Sequence, residues 1–201
     1  MRKNIISFMQ FSLGMLLLAA HVCTLAEEPA ANTETLTIHQ QTLDAMMTTL
    51  RDCTALELRD RIQALHLQIE AGKDVFAFSS SGRIVISQGL LANFNDKDFL
   101  HFVLAHELSH HMLSHLERAQ RMLPGEIFEE IVRASLNQYF EFELEADLMA
   151  IQMLRRCHIE TKRLGEHLEQ LIASTRESVE IPSLLQFHQH RISTLKDLPS
   201  Q

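Results

Sequence analysis

Apolar residues follow two different periods along this chain, and the change between them organises it. In residues 36–50, Leu43, Met46, Met47 and Leu50 recur at helical spacing. Leu56, Ile62, Leu65 and Ile69 repeat the pattern up to Gly72, a natural stop, which predicts a second helix. The methionines of the first stripe read as core packing, since an unbranched thioether fills irregular gaps. From Asp74 the period shortens. Residues 75–78 and 83–87 read as two short strands about the turn Ser79-Ser80-Ser81-Gly82, the only convincing β signal in the chain. Asn95 then stands as a helix N-cap with Asp98 three residues on, and opens a helix through the apolar run FLHFVLA. Pro124-Gly125 breaks the chain after it. Further helices are expected over about 126–156, 161–178 and 182–198.

A chain of 201 residues holds one domain with a sizeable core. Arg2 and Lys3, an apolar stretch over 5–20 and the small-residue end Thr24-Leu25-Ala26 mark residues 1–26 as a secretory signal peptide. The stretch is short for a span of about 20 apolar residues; an uncleaved N-terminal tether is the alternative. Residues 27–35 (EEPAANTET) read as a polar, flexible leader, and 36–201 as a single domain.

Removing Arg2 and Lys3 with the signal takes the net charge from −8 to −10. So acidic a domain excludes nucleic acid as a partner. Cys53 and Cys157 then remain. In an oxidising compartment they read as a disulfide closing a loop worth about 4 to 5 kcal/mol in the chain-entropy model. Two buried free thiols are the alternative.

The candidate chemistry begins with HELSH at 106–110. Residues four apart share a helix face, so His106 and His110 can offer two imidazoles to one zinc ion, with Glu107 beside them to act on a water. A chain with 12 histidines can also reach this pattern by chance, as a solvated His/Glu face. A catalytic zinc needs a third protein ligand. The best candidate is Glu143 in EFELEADLMA, four residues before Asp147 and on the same face. Glu141 and Glu145 point about 200° away from it. Ala146 and Ala150 line the stripe and allow close approach of the HELSH helix. The natural division makes Glu143 the ligand and Asp147 the acceptor for the distal N–H of a ligating histidine. The alternative is a solvated acidic stretch.

HELSH after a strand pair and Gly89-Leu90-Leu91, followed by E-x-x-A-D, resembles the gluzincin metallopeptidases that include the HtpX, CAAX prenyl protease and BepA-like enzymes. The resemblance covers roughly 70–196. It implies an α+β, predominantly helical, zincin-like domain with a small hairpin or sheet packed beside the H-E-x-x-H helix. It also implies one zinc per chain on His106, His110 and Glu143, with Glu107 as general base. His115 matches a histidine often found one turn beyond the motif, and reads as a surface or packing residue. Two departures stand out. Tyr139-Phe140 replaces a Ser-Arg pair, and Leu185 stands six residues before Arg191-Ile192, where many members carry a histidine. His188, His190 and Arg191 are therefore the candidates for holding oxyanion charge.

The function expected from these readings is a zinc endopeptidase acting on unfolded or extended polypeptides, in envelope protein quality control. It would be exported to the periplasm, in association with membrane or envelope proteins. The exposed edge of the hairpin suits an extended peptide or is purely structural. Two rivals remain: a catalytically weak or latent chaperone or assembly factor on the same fold, and a non-catalytic helical protein whose histidines scavenge metal.

Overall fold

The computed structural model describes residues 33–121, 128–174 and 182–197. The expected signal peptide and the Pro124-Gly125 break lie outside them. Helix α1 (Thr33–Cys53) includes the end of the expected leader and buries Leu43, Met46, Met47 and Leu50 on one face. Helix α2 (Leu56–Gln63) stops at Ala64, far short of Gly72.

The expected continuation of that helix is instead strand β1 (His66–Glu70). Apolar residues at 65, 67 and 69 satisfy a strand's alternation as well as a ragged helical spacing. Tertiary pairing decides between them: β1 lies parallel to β3 (Arg83–Ser87) with His66 opposite Arg83 and Ile69 opposite Ile86. Leu67 and Ile69 then turn toward the core while His66, Gln68 and Glu70 face outward. Strand β2 (Ala77–Ser80) pairs antiparallel with β3 on its other side, giving the order β1-β3-β2. The β2–β3 turn is tighter than expected, Ser81-Gly82, with Gly82 at φ 78°, a value that favours glycine. Central β3 is buried from Ile84 to Ser87, as a strand covered on both faces must be.

Ser87 joins the sheet to the helices. Its buried hydroxyl accepts from Leu90 N and Phe76 N, both at 3.0 Å, and so caps α3 (Gln88–Asn93). Gly89 follows because the 73–74 backbone crosses it. A Cβ there would meet the Lys73 carbonyl oxygen at 2.2 Å.

Helix α4 (Lys97–Met112) is capped one residue later than expected, by Asp96 and not Asn95. The Asp96 carboxylate accepts from Asp98 N and Phe99 N at 3.0 Å. Every residue from 102 to 109 is buried, which explains why the helix is apolar nearly all round except at its chemistry-bearing residues. It ends at Leu113-Ser114, well before Pro124. Ser114 takes φ 53°, and Arg61 donates from one nitrogen to Met112 O and Ser114 Oγ, both at 2.9 Å. The chain then restarts as α5 (His115–Arg121).

Helix α6 (Phe128–Arg156) packs along α4, with Ala146 and Ala150 fully buried. Cys53 and Cys157 are joined by a disulfide across 104 residues, with their Cα atoms 5.4 Å apart, and it ties the end of α1 to the end of α6. Helices α7 (Leu164–Ser174) and α8 (Pro182–Lys196) pack against each other. The architecture is α+β and mostly helical, with the three-stranded sheet beside the HELSH helix. Among the described residues no helix is long and apolar enough to cross a membrane.

Candidate metal centre

Helix α4 carries His106 and His110 one turn apart, and α6 carries Glu143 and Asp147 one turn apart. The small side chains of Ala146 and Ala150 let the two backbones close up. His106 Nε2 lies 3.1 Å from His110 Nε2. Glu143 Oε2 is 3.4 Å from His106 Nε2, and Glu143 Oε1 is 3.4 Å from His110 Nε2. Three bonds of 2.0–2.1 Å in a tetrahedral array set their donor atoms about 3.3–3.4 Å apart. The two imidazole nitrogens each face a different Glu143 oxygen near that spacing, and one donor atom from each of the three residues lies within 4.8 Å of the other two. Glu143 is fully buried, and its Oε1 makes no well-formed hydrogen bond among the described residues although it faces His110. Two imidazoles and a carboxylate suit a divalent first-row ion.

Orientation comes from Asp147. Its Oδ1 lies 2.9 Å from His106 Nδ1, which donates, so that Nε2 is the atom left facing Glu143 and His110 to hold either a proton or a cation. Ser109, the remaining polar residue of HELSH, turns back on its own helix and donates to Ala105 O at 2.7 Å. Glu107 is fully buried, next to His106 on α4.

Arg191 is fully buried and supplies the countercharge. It donates through Nε to Asp147 Oδ2 and through Nη2 to Asp147 Oδ1, both at 2.7 Å, and through Nη1 to Glu143 Oε2 at 3.0 Å. Burial pushes the Glu143 and Asp147 carboxyls up, but Arg191, and His106 after it, hold both below the usual range. Burial also opposes charge on His106; Glu143 and Asp147 overcome it and raise the imidazole to about 10. Two carboxylates and one guanidinium leave the cluster short of one positive charge. A proton on His106 or a bound cation balances it.

The C-terminal candidates separate. Arg191 meets the carboxylates with all three guanidinium nitrogens. His188 is buried nearby, lowered to about 4 by burial and by Arg191. His190 is exposed on α8. The Tyr139-Phe140 pair has a structural consequence that spacing did not reveal. Phe140 stacks on Phe187 with centroids 4.2 Å apart, and Tyr139 meets the same ring at 6.3 Å. The aromatic contact pins α8 against α6 and so seats Arg191. Burial, with Glu143 next, holds the Tyr139 hydroxyl well above its ordinary pKa. Glu141 is exposed and bonds Gln138, whereas Glu145 faces α5 and meets His115 and Arg118. That contact was invisible in sequence because the break at Ser114 was not foreseen.

Residues 37–137, just over half of the 201, match the model of Peptidase family M48, and the chain belongs to that family. It is by class a metallopeptidase, and the cluster His106, His110 and Glu143 is compatible with a bound metal. The matched stretch contains HELSH and stops six residues before Glu143. No curated protein matches the chain.

Proposed function

We propose that this chain is a zinc-dependent endopeptidase of the gluzincin type that cleaves unfolded or extended polypeptides in the cell envelope. The observation that carries the reading is the convergence of His106, His110 and Glu143: the imidazole Nε2 atoms are 3.1 Å apart, each lies 3.4 Å from a Glu143 oxygen, and one donor atom from each residue lies within 4.8 Å of the others. Zinc is the ion best matched by that donor set on a peptidase, and His106, His110 and Glu143 would hold it. When bound, it supplies Lewis acidity that polarises a scissile carbonyl and brings the pKa of a water toward about 7.

The chain's own residues do the rest. Glu107 takes a proton from the attacking water on a carboxylate oxygen and returns it to the leaving amine. Asp147 holds the hydrogen on His106 Nδ1, and Arg191 holds both buried carboxylates in place. His188 is the C-terminal side chain best placed to meet developing oxyanion charge, because Arg191 already has three acceptors and His190 faces solvent. The edge of β2 away from β3 supports recognition of an extended peptide by strand addition. Export to an oxidising compartment is supported by the Cys53–Cys157 disulfide.

The test is Glu107→Gln in the full chain, assayed on an unfolded protein such as casein beside zinc analysis. Zinc is expected to stay at one per chain while cleavage falls by about 10²–10⁴-fold, the usual contribution of a positioned base. Undiminished cleavage overturns the mechanism. A wild type that holds zinc tightly but cleaves nothing moves the reading to a latent or chaperone-like member. The engagement of Arg191 with the carboxylates is the observation that favours that second reading.

A further inference from the structure

Beyond HELSH, α5 opens with a histidine that sequence spacing left as a packing residue. His115 Nδ1 lies 2.9 Å from His110 Nδ1, and His115 Nε2 lies 3.0 Å from Glu145 Oε2. Arg118 donates to both oxygens of Glu145. We propose that His115 is a positioning residue which, backed by Glu145 and Arg118, fixes the tautomer and ring orientation of His110. The inference rests on the metal-site reading above and concerns the ligand that Asp147 does not touch.

The direction of each hydrogen follows from simple counting. A neutral imidazole that offers Nε2 to a cation carries its hydrogen on Nδ1. For His110 that hydrogen points at His115 Nδ1, which must therefore accept. The single hydrogen of the neutral His115 ring then sits on Nε2 and is donated to Glu145 Oε2. Each ligand histidine thus ends on a carboxylate of α6, His106 directly on Asp147 and His110 through His115 on Glu145.

The intervening ring answers a geometric need. Glu145 is two residues from Glu143 and about 200° round the helix, so its carboxylate cannot approach the cluster itself. The Ser114 turn, held by Arg61, delivers the first residue of α5 into the gap. His115 is 3% exposed, and its ring plane is set by stacking on Phe142 at 4.4 Å and 12°. Arg118 lies over the same Phe142 ring at 4.6 Å.

A packing role and a positioning role predict different behaviour for two substitutions. His115→Phe keeps the stack and removes the acceptor, whereas His115→Asn places an amide oxygen near the lost Nδ1. Zinc affinity of the full chain is read by competition with a chromophoric chelator. Thermal unfolding of the metal-free protein is recorded beside it. Expected is a loss of about 10- to 100-fold for His115→Phe, the usual effect of removing a ligand's hydrogen-bond partner, with substantial recovery in His115→Asn. Glu145→Ala, at a partly exposed site where folding is tolerant, is expected to weaken zinc binding in the same direction. In the zinc-loaded wild type, nitrogen-resolved NMR of the imidazoles should find the His115 hydrogen on Nε2.

Zinc held equally tightly by His115→Phe, an equal loss in the Phe and Asn variants, or an unchanged Glu145→Ala overturns the inference while leaving the metal site standing. A wild type that takes up no zinc overturns the metal-site reading itself, and this inference with it.

Discussion

Arg191 grips Asp147 at two points, Nε to Oδ2 and Nη2 to Oδ1, each at 2.7 Å, and the same Oδ1 receives the His106 Nδ1 hydrogen at 2.9 Å. A helix that contributes no candidate ligand atom therefore orients the candidate ligand His106 on α4 through a carboxylate of α6. Parallel, two-point bonding is the arrangement that arginine makes and lysine cannot.

Arg191→Ala strands Glu143 and Asp147 without their main countercharge. Breaking one side of a buried ion pair costs about 3–5 kcal/mol, and urea unfolding of the metal-free protein should show a loss of that order. Arg191→Lys should recover only part of it. Wild-type midpoints in both variants would mean that Arg191 has no such role.

The fold and the site were legible to different depths. The four-residue spacings of His106 with His110 and Glu143 with Asp147, and the small faces of Ala146 and Ala150, are local properties that helical geometry converts directly into side-chain placement. Strand β1 was hidden because Leu65, Leu67 and Ile69 fit two periods, and only pairing with β3 chooses between them. The Ser114 break was hidden because its positive φ falls on a non-glycine and is secured by Arg61, which lies 53 residues away. Missing that break concealed the His115–Glu145 contact. The role of Arg191 depends on how α8 docks, which is set by Phe140 against Phe187 and has no periodic signature.

Removing Glu143 tests the third donor. Glu143→Ala should reduce zinc affinity far more than Glu141→Ala, whose carboxylate is exposed and bonded to Gln138. The same comparison appears in stability. A ligand present at 100 times its Kd adds about 2.7 kcal/mol to the folded state, so zinc should raise the unfolding midpoint of wild type and Glu141→Ala but not of Glu143→Ala. Equal responses in the three proteins would remove Glu143 from the site.

Acid should destabilise the metal-free protein in two stages. His188 is lowered to about 4 from an ordinary 6.5, so the folded state keeps it neutral while the unfolded chain binds a proton. Its contribution is full above pH 6.5 and is lost as pH falls toward 4; a shift of that size corresponds to roughly 3 kcal/mol at most. Glu143 and Asp147, held low mainly by Arg191 against their burial, add a further loss as pH drops below the ordinary carboxylate range. His188→Leu should flatten the first stage and spare the second. Urea midpoints between pH 7 and 3 provide the measurement, and parallel slopes in wild type and variant would contradict the assignment.

At alkaline pH the sign reverses, because His106 is raised to about 10 in the metal-free protein. Its contribution is complete below 6.5 and disappears as pH rises through 10. A bound divalent ion replaces that proton as the countercharge to Glu143, so the zinc-loaded protein should hold its stability between pH 7 and 10 where the metal-free protein loses it. Unfolding midpoints of the two forms across that range should diverge steadily. Curves that fall together would show that proton and metal do not compete at His106.

The Cys53–Cys157 bond acts on a different part of the molecule. It ties the ends of α1 and α6 across 104 residues, so its effect is chiefly on the unfolded chain. Replacing both cysteines by serine should lower stability by about 4 to 5 kcal/mol in the chain-entropy model. The loss should leave zinc stoichiometry intact in the fraction that remains folded, since the candidate ligands sit on α4 and the middle of α6. Urea unfolding of oxidised, reduced and doubly substituted protein separates the contributions. Reduced and doubly substituted proteins should coincide, and a doubly substituted protein as stable as the oxidised wild type would show that the loop constraint contributes nothing.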